Sequence, residues 1–407
     1  MSYSAKQPWE FKKPTSCTPQ AKLFALDKPF TGKRLNKAKL VRKLTDKDKK
    51  HSKALSAIGD PIPESWSWRN LGETDPKYKG KIEPARDQGG CGSCWAFSLS
   101  AALADRYSIK YDIEPQYLSP TWLMSTTYDL MEVRPQTSCD EGGDPHIASK
   151  WLETNGTKEE KCWPYSLIKE HSWVAPNKLP SDCCSNCCDP KITPALEVMY
   201  SVQPGSTRTL AVVNGDKIDK DATIAAIQRE IMSNGPVVCG FQVFDDFSDY
   251  WGSKASSGEI YVCNNRGESG GHAVTLTGWG TGQLSNGKTV RYWELRNSWG
   301  KSGDNGYCKI GFSTDVPENV VLQVDIPAEV EKDAAGNILF SGGTFAFIPG
   351  AKPVIENNSI IEKFSNESDK CSTKFMGLNM HISIVILIII AIIIVISLLL
   401  FLIIKKH

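Results

Sequence analysis

A glycine-rich turn, Asp87-Gln88-Gly89-Gly90-Cys91-Gly92-Ser93, runs directly into Cys94 and a segment that is apolar nearly all round. Trp95, Ala96, Phe97, Leu99, Ala101, Ala102 and Leu103 leave no polar stripe of the width a surface helix carries. A helix over Cys94 to Tyr107 is therefore predicted to lie at the centre of a domain, covered on every side. The turn delivers Cys94 to the first turn of that helix. The start of a helix carries partial positive charge, which favours a thiolate over a thiol, and the thiolate is the nucleophilic form of cysteine. Backbone N–H groups at the same place stabilise a developing oxyanion. Gln88, six residues before Cys94, offers a side-chain amide for the same purpose.

A nucleophilic cysteine needs a base. Of six histidines, His272 stands apart in Gly270-Gly271-His272-Ala273-Val274-Thr275-Leu276, at the entry to a strand and behind two glycines that permit close approach. The third element is Asn297 in Arg296-Asn297-Ser298-Trp299-Gly300, at the end of another predicted strand. Its side-chain oxygen is placed to accept the imidazole N–H, with Trp299 shielding that bond from water. A lone cysteine among glycines is more often half of a disulfide, and a lone strand histidine is more often core. All three together, in compatible contexts, point to a nucleophile, a base and an orienter.

The periodicity splits the middle of the chain in two. After the buried helix, Ile224, Ile227 and Ile231 form a helical stripe closed by Gly235. Strand-like segments follow at Val237 to Phe244, Ala273 to Trp279, Tyr292 to Arg296 and Tyr307 to Ile310. A helical lobe followed by a β-rich lobe is an α+β plan, and the cleft between two lobes is the natural place for a site.

With Ile62-Pro63-Glu64-Ser65-Trp66-Ser67-Trp68-Arg69 at one end and Gly306-Tyr307-Cys308-Lys309-Ile310 at the other, these motifs resemble the papain family of cysteine proteases over roughly residues 62–327. The resemblance implies a papain-like two-lobed fold, with a helical lobe and an antiparallel β-barrel lobe. It implies Cys94, His272 and Asn297 as the catalytic set, and Gln88 with the Cys94 N–H as the oxyanion hole. It assigns Gly142, Gly143 and Trp299 to the substrate cleft, and Cys91–Cys139 and Cys162–Cys188 as disulfides. It implies protein or peptide substrates, with no cofactor and no metal.

Cys94 and His272 are 178 positions apart, beyond the roughly 130–150 usual for the family. The excess lies between Cys162 and about Pro204, which is similar to the cathepsin B branch and its cleft-covering insertion. The paired histidines of that insertion are here reduced to Glu170-His171-Ser172, so endopeptidase action is expected over carboxypeptidase action. Cys183, Cys184, Cys187 and Cys188 leave a zinc site as an alternative, against which no second Cys-x-x-Cys pair stands at the usual spacing.

The two ends differ from the body. Residues 1–60 hold 15 Lys+Arg against 5 Asp+Glu, so a head of net charge +10 precedes a remainder of −9. Residues 1–61 stand where the family carries an inhibitory pro-segment, and the charge contrast favours docking on the body. A basic arm for nucleic acid or anionic lipid is the rival reading, and no specific nucleic acid is expected. Residues 328–381 turn polar and are expected to form a stem, with a small hairpin at Ile338 to Phe347. Ile382 to Ile404 is a 23-residue apolar run broken only by Ser383 and Ser397. As a helix it reaches about 35 Å, enough to cross a bilayer core of about 30 Å. A single-pass membrane anchor and a lipid-bilayer partner are expected. No secretory signal is visible at the N-terminus, and this combination looks like a virus-encoded, membrane-anchored relative. The competing functional classes are a catalytically silent papain-fold membrane or virion component and a Cys-His acyltransferase.

Overall fold

The computed structural model describes residues 42–127, 139, 142–160, 165, 199–215, 217–264, 267, 270–332, 338–352, 372–375 and 378–381. The chain divides into two compact units, Met1–Pro353 and Val354–His407.

The first unit opens with β1 (Arg42–Lys43), α1 (Asp46–Ser56) and β2 (Trp66–Ser67). Its helical half holds α2 (Cys94–Tyr111), α3 (Pro120–Thr127) and α4 (Pro145–Asn155). The strand-rich half runs through β3 (Arg208–Thr209), β4 (Val212–Asn214), β5 (Lys217–Asp219), α5 (Lys220–Asn234), β6 (Val237–Val243) and α6 (Asp245–Ser253). β7 (Ile260–Tyr261), β8 (Gly270–Gln283), β9 (Thr289–Arg296), β10 (Tyr307–Gly311), β11 (Ala328–Lys332), β12 (Ile338–Ser341) and β13 (Gly343–Ala346) complete it.

α2 is the central helix that its composition demands: every side chain from Cys94 through Ser108 is buried. α3 and α4 pack on it from one side, and β6, β8 and β13 close it from the other through Val238, Ala273 and Phe345. α5 behaves as its pattern predicts. Asp219 caps its start by accepting from the Ala222 N–H at 3.0 Å, and Gly235, at φ +100°, ends it. Ile224, Ile227 and Ile231 are at most 1% exposed. The main sheet has the order β3-β13-β6-β8-β9-β10-β7, with β2 added against β8. It is antiparallel except where β10 meets β7.

The structure moves the end of the body. The stem expected from Ala328 does not begin there, because β13 is an interior strand of the main sheet, paired to β6 on one side and β3 on the other. Nor do Ile338 to Phe347 form a hairpin of their own. Gly342 and Gly343, at φ +65° and +73°, turn the chain so that β12 joins one sheet and β13 another. The reason is burial. Phe345 and Phe347, each 1% exposed, complete the cluster around α2. A polar composition from residue 328 onward conceals this strand, and the body reaches at least Lys352.

The head is also partly built into the body. β1 joins β12 and β11 in a three-stranded sheet. α1 carries a Thr45–Asp48 capping box and buries Asp48, Ser52 and Leu55. In the second unit, β14 (Ser372–Phe375) pairs antiparallel with β15 (Leu378–His381). The expected span at 382–404 lies outside the described residues. Among the described residues, no helix is long and apolar enough to cross a membrane.

Candidate active site

Two backbone contacts assemble the site. The turn before α2 pairs with the loop after β9: the Gln88 N–H donates to Ser298 O at 2.8 Å, and the Gly300 N–H donates to Arg86 O at 3.1 Å. Gln88 is thereby set beside Asn297. The Asn297 N–H in turn donates to Gly306 O at 2.9 Å. Gly306 sits at φ +90°, where a Cβ would fall 2.1 Å from Ala85 Cβ, so only glycine allows this approach.

His272 enters on β8 opposite Phe241 of β6. Its Nε2 lies 2.7 Å from Asn297 Oδ1. That oxygen also accepts the Ser298 N–H at 2.8 Å, which fixes it as the acceptor end of the amide. Nε2 must therefore carry the proton, and Nδ1 keeps its lone pair. Nδ1 has no hydrogen-bond partner among the described residues. Trp299 stacks on the imidazole with centroids 4.7 Å apart, and Phe247 and Trp251 hold Trp299 edge-on. The His–Asn bond is enclosed in an aromatic box.

Cys94 is the first residue of α2 and a free thiol, 1% exposed. Cys94 packs in the same buried cluster as Ala273, the residue that follows His272, and nearby backbone N–H groups favour its charged form. Burial outweighs these donors and pushes the thiol up to about 12. The helix start does favour the thiolate, but burial acts in the opposite direction and penalises the charged form more strongly. Burial likewise pushes His272 down to about 4, against the opposing hydrogen bond with Asn297. Each group alone is held neutral, and charge separation between them depends on their mutual attraction in a dry site.

The depressed histidine has a measurable consequence. In the unfolded chain His272 takes up its proton near 6.5, and in the fold only near 4. Between these values the unfolded state binds more protons, so stability is fully present above pH 6.5 and falls on acidification toward pH 4. The contribution is roughly 3 kcal/mol. Buried His146 acts in the same direction. Denaturant unfolding at pH 7 and pH 4.5 should show this loss, and His272→Gln should show a clearly smaller one. An equal loss in both proteins would place the acid sensitivity elsewhere.

Gln88 is 1% exposed. Its Oε1 accepts from Ser298 Oγ at 2.5 Å, and its Nε2 donates to Cys91 O at 2.8 Å. An amide has two N–H donors, so the second is available for an oxyanion. Ser298, which the sequence reading passes over, thus ties Asn297 to Gln88. Ser298→Ala should lower kcat by about 10- to 100-fold with little change in KM, the range for a loosened oxyanion donor. An unchanged kcat would show that Gln88 holds its orientation without the serine.

The structure also adds Tyr165, which lies in the region after Cys162. Its hydroxyl lies 2.8 Å from Gln88 O and 2.7 Å from Ser93 Oγ, while its ring meets Phe97 edge-on. The hydroxyl pins the turn that carries Gln88 to the cap residue of α2. Cys91 and Cys139 are joined by a disulfide, and the Gly92 N–H donates to Cys139 O at 2.7 Å. These links bring the neighbourhood of Gly142 and Gly143 to the same turn. Both glycines are buried and lead into Asp144, the cap of α4. Cys162 and Cys188, the insertion cysteines and Glu170-His171-Ser172 lie outside the described residues.

The sequence profile of the papain family of cysteine proteases matches residues 62–324. A "Cathepsin B-like cysteine proteinase 5" of Caenorhabditis elegans is 31% identical over 296 residues, covering 67% of this chain and 78% of the relative. A "Probable cysteine proteinase 024R" of Invertebrate iridescent virus 3 is 28% identical over 330 residues, covering 72% of this chain and 64% of the viral protein. Among solved structures, proCathepsin B S9 from Trypanosoma congolense aligns with a TM-score of 0.47 at 21% identity, over 76% of this chain and 82% of that one. The chain belongs to the papain family of cysteine proteases, with cathepsin B-like and viral proteins among its relatives.

Proposed function

We propose that this papain-family chain is a cysteine endopeptidase that hydrolyses peptide bonds through an acyl-enzyme formed on Cys94. The observation that carries the reading is the His272 Nε2 to Asn297 Oδ1 bond of 2.7 Å, which leaves Nδ1 as the lone-pair nitrogen on a residue next to Ala273, which shares a buried cluster with Cys94. His272 Nδ1 takes the thiol proton as Cys94 Sγ bonds to the peptide carbonyl carbon. The carbonyl electron pair moves to oxygen, where the Cys94 N–H and the Gln88 amide stabilise it. The intermediate collapses, the C–N bond breaks, and the leaving amine takes the proton from Nδ1. Water then gives a proton to Nδ1 and attacks the thioester, and Cys94 Sγ leaves, taking that proton back from Nδ1 as the acid is released.

The endopeptidase assignment rests on Glu170-His171-Ser172, which lacks the histidine pair that holds a substrate carboxylate in cathepsin B. A non-catalytic reading has one observation in its favour, the burial that keeps Cys94 and His272 neutral. A peptide carrying a thiol-directed electrophile separates the two. Stoichiometric labelling at Cys94, lost in His272→Ala, supports the peptidase, whereas an inert Cys94 supports the silent protein. Cleavage of internally quenched peptides without release of C-terminal dipeptides tests the endopeptidase assignment.

The apolar run Ile382 to Ile404 supports attachment of the enzyme to a lipid bilayer by a single helix. Retention of the full chain in membranes after alkaline carbonate washing, and its release when the chain is cut before residue 382, is the corresponding test.

A further inference from the structure

We infer that residues 42–58 are a permanent strap of the folded enzyme, and that any removable inhibitory segment ends before Arg42. The strap satisfies groups that the body cannot satisfy alone. β3 is an edge strand whose inner side pairs with β13. On its outer side, α1 supplies the missing partners. Asp48 Oδ1 accepts the Thr209 N–H at 3.1 Å, Ser52 Oγ accepts the Ala211 N–H at 3.1 Å, and Ser52 Oγ donates to Thr209 O at 3.4 Å. Thr209 and Ala211 are buried, so losing α1 would leave backbone polar groups and a sheet edge without partners.

The apolar contacts agree. Leu55 belongs to the main hydrophobic cluster, and Leu44 packs with Ala211 and Phe340. β1 is the outer strand of a sheet whose other members, β11 and β12, pair with nothing else. The segment between the late strand β10 and β13 thus carries a hairpin whose sheet is completed by the head.

Charged groups add to the attachment. Arg42 Nη2 donates to Gly342 O at 2.5 Å. His51 Nε2 lies 3.4 Å from Glu230 Oε2 of α5, and Glu230 in turn holds Arg106 of the central helix at 2.9 Å.

The test uses the full chain with a recognition sequence for a site-specific protease inserted at Gly59–Asp60, both exposed. After the cut, the fragment ending at residue 59 should stay with the remainder on size exclusion under native conditions, and turnover should rise by less than 2-fold. Release of the fragment with a gain in turnover overturns the inference and makes residues 42–58 part of a removable inhibitor. Co-elution needs no turnover, so it reads the strap even if the peptidase reading fails.

Discussion

Cys94→Ala is expected to lower kcat/KM for a peptide substrate by about 10⁴-fold or more while leaving the unfolding transition nearly unchanged. The size follows from chemistry. Among the described residues, Cys94 is the one free thiol at the start of a helix. Cys239, Cys263 and Cys308, the other free thiols among the described residues, are buried within the strand-rich cluster. The small effect on stability follows because the alanine keeps Cβ and removes one sulfur from a site that is already covered. Initial rates with the purified variant and the parent, together with their unfolding curves, check both halves. A variant with more than a tenth of parental activity excludes Cys94 as the nucleophile.

Arg106→Ala is expected to destabilise the protein by about 3–5 kcal/mol, the loss typical when one partner of a buried ion pair is removed. Arg106 is 0% exposed, and Glu230, its partner at 2.9 Å, is 2% exposed. The guanidinium also donates to Pro236 O at 2.6 Å, to Gly235 O at 3.1 Å and to Phe347 O. One side chain therefore ties the central helix to the end of α5, the start of β6 and the segment after β13. Its removal strands a buried carboxylate and three carbonyls at once. Arg106→Lys should recover only part of the loss, because an ammonium cannot reproduce the planar fork. Denaturant midpoints of the three proteins provide the measurement, and a loss below about 1 kcal/mol would mean that water replaces the guanidinium without penalty.

The two variants mark the boundary between what was legible in the residues and what was not. Cys94 was legible because its environment is local: a glycine-rich turn, a helix start and an apolar helix within a dozen residues. His272 and Asn297 were legible because each carries its own glycines or aromatic neighbour. The role of Ser298 was not, although it lies between Asn297 and Trp299, because its hydroxyl acts on Gln88, 210 residues away. Tyr165 is similar: nothing around it announces that its hydroxyl meets Gln88 O, 77 residues away. Arg106 reads in the sequence as one polar interruption of an apolar helix, and its partners come from two distant segments, residues 230–236 and Phe347.

The sequence by itself determined the family and most of the elements. The buried helix, the stripe of α5, the strands of the second half and the candidate set Cys94, His272 and Asn297 were read from periodicity, glycine placement and side-chain type, which act over short range. Tertiary structure decided the rest. It gave β13 a place inside the main sheet, built β1 and α1 into the body, and oriented Gln88. It also buried Cys94 and His272, which pushes each toward its neutral form. Those outcomes depend on pairing between segments far apart in the chain and on the water excluded when they meet. Neither is written in any local stretch of residues.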